Sequence, residues 1–92
     1  RNALADNAGM LFNFGEDRYI GMWMKNTLIP LDMIFINHNG KIIQIIENTE
    51  PLSTNLLRSE GKVRAVLEIS GGSASRKGIK PGDHIIHSIF AP

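Results

Sequence analysis

The 92-residue chain has no cysteine, so neither a disulfide nor a thiolate metal site can hold it together. That absence suits a reducing compartment, and equally an exported protein that needs no bridges. Charge of one sign is missing too. Ten basic and nine acidic residues leave a formal +1, and the basic ones are scattered singly apart from Arg76-Lys77. A nucleic-acid binder concentrates its basic residues on one face, so we expect no nucleic-acid partner. No apolar run approaches the roughly twenty residues of a membrane-spanning helix, which leaves this segment without such a span. There is no internal repeat, no low-complexity stretch, no lysine-bearing phosphate loop and no Gly-x-Ser-x-Gly nucleophile motif. The sequence opens at Arg1 rather than Met. We read it as the body of a longer product whose start was processed or trimmed.

What is present is an ordinary globular composition, 42% apolar and 21% charged, with room for one domain over residues 1–92. The apolar residues recur with period two. Met10, Phe12 and Phe14 alternate up to Gly15; Ile20, Met22 and Met24 alternate from Tyr19 to Lys25; Leu31, Met33 and Phe35 oppose Asp32, Ile34 and Ile36. Asn39-Gly40 then predicts a two-residue type I′ hairpin turn, both of whose central positions need positive φ. The run Ile42-Ile43-Gln44-Ile45-Ile46 is apolar on both faces, as a central strand should be. Pro51 opens an irregular stretch through Gly61, and another strand follows from Val63 to Ile69. Ser70 to Ser73 predicts a serine-capped short helix that ends at a left-handed Gly78. A turn at Lys80-Pro81-Gly82-Asp83 feeds a last strand from His84 to Phe90. The expected fold is mostly β (α+β): a small antiparallel barrel or half-barrel of about six strands, with one short helix over an opening, because closure hides edges.

The segment Gly21-Met22-Trp23-Met24-Lys25-Asn26-Thr27, followed by Ile29-Pro30-Leu31-Asp32-Met33-Ile34-Phe35-Ile36, is not a generic strand–loop–strand. Gly9-Met10-Leu11-Phe12 precedes it, and Val66-Leu67-Glu68 and Gly78-Ile79-Lys80-Pro81-Gly82-Asp83 follow. Together these closely resemble the domain of unknown function 192 family, from about Leu4 to the final strand. The resemblance implies a compact bacterial and archaeal domain, often behind a signal peptide, with no established activity. The family's usual opening strand and short helix would precede Arg1. It also implies a periplasmic or otherwise exported setting, with a cytoplasmic one left open.

Within that segment Lys25, Asn26 and Thr27 stand where a strand leaves its sheet, and Asp32 begins the returning strand. Alternation puts Asp32 on the apolar face of Ile34 and Ile36, where a carboxylate is costly unless paired or at the rim. Glu68 shares a face with Val66. Two readings stay open: a cleft in which Lys25 faces Asp32 or Glu68 while Asn26 and Thr27 offer hydrogen bonds, or a fold-fixing ion pair with Asn26 and Thr27 bonded to the loop's own backbone. The hairpin would also set Asp32 opposite Glu47, and opposed carboxylates raise one pKa. Trp23 is a stacking platform for a flat ligand, or an anchor in a second small core. Met22 and Met24 fit a gap-filled core better than a thioether copper site, since no histidine has a place beside them. His84 and His87 fall on opposite faces of the last strand and His38 in a turn, so we expect no metal and no cofactor. Gly71-Gly72 ahead of a helix either exposes N–H groups to an anion or permits close packing.

Two classes of function follow. One is a non-catalytic binding or interaction module, monomeric or weakly dimeric. Its rim of Trp23, Lys25, Asn26, Thr27, Asp32 and Glu68 would hold a small polar ligand, a glycan or an envelope protein. The other is a small hydrolase or lyase, with Asp32 and Glu68 (or Glu47) as acid and base and Lys25 stabilising charge. A DNA-binding regulator ranks below both, because no helix is long enough for a major groove.

Overall fold

A computed structural model of the chain describes residues 8–91; the opening stretch, including Leu4 where the family resemblance begins, lies outside the described residues. Six strands and one helix follow in order: β1 Gly9–Arg18, β2 Gly21–Met22, β3 Leu31–Ile36, β4 Ile42–Ile46, β5 Leu57–Arg58, β6 Val63–Ser70 and α1 Ser73–Lys77. The large sheet runs β1-β6-β3-β4, and β2 pairs with β5 in a separate ribbon. All pairings are antiparallel.

The period-two pattern places the core on both faces of that sheet. Leu31, Met33 and Phe35 of β3 join Val66 of β6 under Ile20 and Met24, with Met22 and Leu57 of the ribbon packed against them. On the other face Ile34, Ile36, Ala65 and Ile69 pack with Ala74 of α1 and with Phe90. Every residue of β3 is buried, which is why its sequence is apolar at both parities apart from Asp32. The sheet is therefore the middle of three layers, with the ribbon and its loops on one side and α1 with the C-terminal segment on the other.

Several expectations need correction. The mostly β class with six strands and one short helix holds among the described residues, but no closed barrel forms, because β1 and β4 are the two edges of the large sheet and do not meet; covering both faces with loops and a helix buries the apolar surface instead. Gly15 does not end β1. Its positive φ of 78° lets the strand bulge and continue to Arg18, with the register shifting between Asn13 and Arg18. The hairpin turn is not type I′, since only Gly40 has positive φ. Gly40 N–H closes a turn onto the Asn37 carbonyl at 3.0 Å, and Asn37 Oδ1 accepts from Asn39 and Lys41 N–H. The left-handed Gly40 then introduces a bulge that pairs Ile36 with Ile42, while Ile34 still faces Ile45.

The stretch after Pro51 contains the short β5, which apolar periodicity over two residues could not reveal. The strand from Tyr19 to Lys25 shrinks to Gly21–Met22, because a turn from Met24 to Thr27 takes the chain away. The last strand from His84 to Phe90 is absent. That segment makes one bridge, Lys41 to His84, then folds round the hairpin, with Ile85 N–H on the Gly40 carbonyl at 2.7 Å and Ala91 N–H on that of His38 at 2.8 Å. Finally, α1 has no serine cap. Gly72 stands at its N-terminus with φ 88° and no side-chain cap. Its C-terminal end is as expected: Gly78 is left-handed, and Gly78 and Ile79 N–H close onto the Ser75 and Ala74 carbonyls.

Candidate functional site

The loop between β2 and β3 is held from below. Met24 is fully buried, and the Thr49 hydroxyl lies 3.2 Å from its sulfur and 3.0 Å from the Leu31 carbonyl, while accepting Leu31 N–H at 3.1 Å. The Thr27 backbone closes the turn on the Met24 carbonyl and receives Leu52 N–H, both at 3.0 Å. With Met24 committed to the core, the loop presents its neighbours Trp23 and Lys25 outward. Trp23 is 51% exposed, and the Lys25 ammonium sits 5.6 Å from the centre of its ring, a favourable cation–π placement.

These groups line one cleft of about 410 Å³, together with Asn26, Thr27 and Glu68. Phe12 of β1 and Met22 of β2 supply its apolar walls. Glu68 lies on the face of β6 that pairs with Met33, and it is 1% exposed. Thr27 is also nearly buried, and its hydroxyl makes no hydrogen bond among the described residues. No carboxylate of the described residues is ion-paired with Lys25. Trp23 is thus no core anchor, and the ion pair offered as the alternative to a cleft does not form there.

Asp32 is elsewhere. In the β3–β6 register it stands opposite Ile69, whereas Glu68 stands opposite Met33, so the two acids lie on opposite faces of the sheet. Asp32 Oδ1 accepts N–H from Asn48 at 2.9 Å and Gly72 at 3.1 Å, and Oδ2 accepts that of Ala74 at 2.8 Å. Of the two glycines ahead of the helix, Gly72 gives its N–H to the protein's own carboxylate, joined by Ala74 N–H from the first turn, while Gly71 N–H goes to the Pro30 carbonyl at 3.0 Å. Gly71 also serves close packing, since a Cβ there would press on Asn48 Oδ1 and Pro30. Glu47 is exposed beyond the end of β4. Neither the Asp32–Glu68 nor the Asp32–Glu47 arrangement forms an acid–base pair in the cleft.

Sequence reasoning missed Phe12, Met22 and Thr49 as parts or supports of the site. Phe12 is remote in sequence, and only the β1–β6 register, which pairs it with Val66, brings it near Glu68. It also missed Asp17, whose carboxylate bridges His38 Nδ1 at 2.7 Å and Arg64 Nε at 3.2 Å. His84 and His87 both border a second concavity of about 260 Å³ instead of opposing one another across a strand. Among the described residues no three His, Cys, Asp or Glu side chains converge on a metal position. No helix among the described residues is long and apolar enough to cross a membrane.

A small three-layered β fold with a mixed polar and apolar cleft beside its β2–β3 loop is the class that this geometry defines. The family model for DUF192, described as an uncharacterised ACR, matches residues 1–87; the chain belongs to that family. It is similar to a crystal structure from Sinorhizobium meliloti, of a protein provisionally described as a transcription regulator. The identity is 44% and the TM-score 0.94, covering 98% of this chain and 70% of that one. A protein of unknown function from Novosphingobium aromaticivorans is similar at 41% identity and TM-score 0.89, covering 92% of this chain and 61% of that one. No curated protein matches.

Proposed function

We propose that the domain is a non-catalytic binding module that holds a small polar ligand in the cleft between the β2–β3 loop and β6. The observation that carries this reading is Trp23, a half-exposed indole set on the wall of a concavity instead of in the core. Exposing a large aromatic forgoes much of its burial energy, and here it lies beside an ammonium, an amide, a hydroxyl and a buried carboxyl. Such a mixture of an apolar wall with a few convergent polar groups is what small-ligand sites share. The hydrolase alternative loses its second carboxyl, because the oxygens of Asp32 are engaged by three backbone N–H groups on the far face. The description of the Sinorhizobium relative would suggest transcriptional control. A five-residue helix is too short to fill a major groove.

The test is a thermal-shift screen of sugars, organic acids, amino acids, nucleotides and DNA, followed by backbone amide mapping of any compound that raises the melting temperature. The expected outcome is a set of shifted amides centred on Trp23, Lys25, Asn26 and Thr27. Shifts centred on the hairpin and C-terminal segment, or no stabilising compound at all, would overturn the proposal.

A further inference from the structure

We infer that the ligand class of this cleft is an acidic saccharide, a pyranose ring carrying a carboxylate, held by Trp23 and Lys25 together. The inference rests on the proposed binding function and specifies its ligand. Three features of the cleft narrow the chemistry. Among the described residues the exposed charge of the cleft is a cation, Lys25, while the Glu68 carboxyl is recessed in its wall at 1% exposure; Lys25 lies 5.6 Å from the indole centre. A ligand anion must therefore sit within one ring's width of the surface against which the ligand's body packs. The indole offers a flat apolar face, which suits the C–H face of a sugar ring or another planar group.

The remaining groups decide between those two. The Thr27 hydroxyl, the Asn26 amide and the Glu68 carboxyl all line the cleft, and together they offer several donor and acceptor positions. A carboxyl alone has more than one acceptor site, whatever else it contacts. A site built to hydrogen-bond hydroxyl groups discriminates strongly against an analogue that lacks them. A flat aromatic acid would satisfy Trp23 and Lys25 and leave this polar side unmatched. A neutral sugar would satisfy the polar side and leave the cation unused. A ring bearing both hydroxyls and a carboxylate answers every group, and about 410 Å³ accommodates a single sugar residue.

The chain contains one tryptophan, so its fluorescence reports on the cleft alone. We would titrate the full chain with glucuronate, glucose, benzoate and glutamate at low salt, and repeat each titration calorimetrically. The expected result is that glucuronate changes the Trp23 emission and binds about tenfold more tightly than glucose or benzoate, with the advantage over glucose shrinking as salt screens the charge. Lys25→Gln should abolish the preference for glucuronate over glucose while leaving glucose binding in place. Trp23→Phe should keep part of the calorimetric affinity that Trp23→Ala loses. Both side chains are exposed, so unchanged melting temperatures establish that the variants fold. Equal affinity for glucuronate and glucose, a preference for benzoate or glutamate, or a Lys25→Gln variant that still discriminates would each overturn the saccharide class. Binding of benzoate or glutamate at Trp23 would do so while leaving the binding function standing. If no compound of either screen binds the cleft, both fall.

Discussion

On one face of the four-stranded sheet an acid, Asp32, is wholly engaged by the protein's own backbone; on the other an acid, Glu68, forms part of the wall of a cleft. The two residues sit on neighbouring strands and are equally hidden from solvent. What differs is the material brought against them. Over Asp32 lie α1 and the turn at Asn48, both of which present N–H groups that need an acceptor. Over Glu68 lies a loop whose Met24 goes inward and whose Trp23, Lys25 and Asn26 go to the rim. The lesson is that a buried carboxyl in a small β domain becomes structural or cleft-facing according to which layer covers it. Its own strand does not decide.

The comparison breaks most directly at Asp32. Asp32→Ala strands three N–H groups and is expected to destabilise the fold by about 3–5 kcal/mol, read as a lowered urea midpoint. A loss below about 1 kcal/mol would mean that those N–H groups find other partners. Next is Gly40→Ala at the hairpin. A left-handed backbone and a Cβ running into the Ile85 carbonyl predict a loss of roughly 2 kcal/mol or more. The chemical shifts of the C-terminal segment should move with it, and unchanged Ile85 and Phe90 resonances would contradict the packing described. Asp17→Asn removes the charge that bridges His38 and Arg64. It should cost about 0.5–1 kcal/mol in dilute buffer and less in high salt; an effect that does not vary with salt would assign Asp17 a non-electrostatic role.

The smallest stability effect belongs to the cleft. Trp23→Ala should change folding free energy by no more than about 0.5 kcal/mol, although it removes the largest side chain of the site. Denaturation that places Trp23→Ala near Asp32→Ala in severity would erase the contrast between the two faces and make the indole a core residue.

Much of this was legible in the chain itself. Alternation in Leu31 to Ile36 and the doubly apolar runs marked strands that had to be covered on both sides, because period two assigns a face to every residue once a strand exists. The gathering of Lys25, Asn26 and Thr27 where a strand leaves its sheet was legible from the pattern break there, although only Lys25 and Asn26 turn out exposed and Thr27 is nearly buried. Other features hid in conformations that composition does not encode. A two-residue strand such as Leu57–Arg58 has no period to detect. The left-handed Gly15 and Gly40 look identical whether they end a strand, bulge it or close a type I′ turn. The alternation of the last segment is shared by a true strand and by a loop that needs to insert Phe90.

The sequence alone determined the family and the β-rich class, and it picked out the segment that lines the cleft, since local pattern and composition suffice for those. Which acid would reach the cleft was decided only by tertiary structure. Strand order and register set Asp32 and Glu68 on opposite faces, and the layers packed over each face supplied N–H donors to one and a ligand-sized hollow to the other.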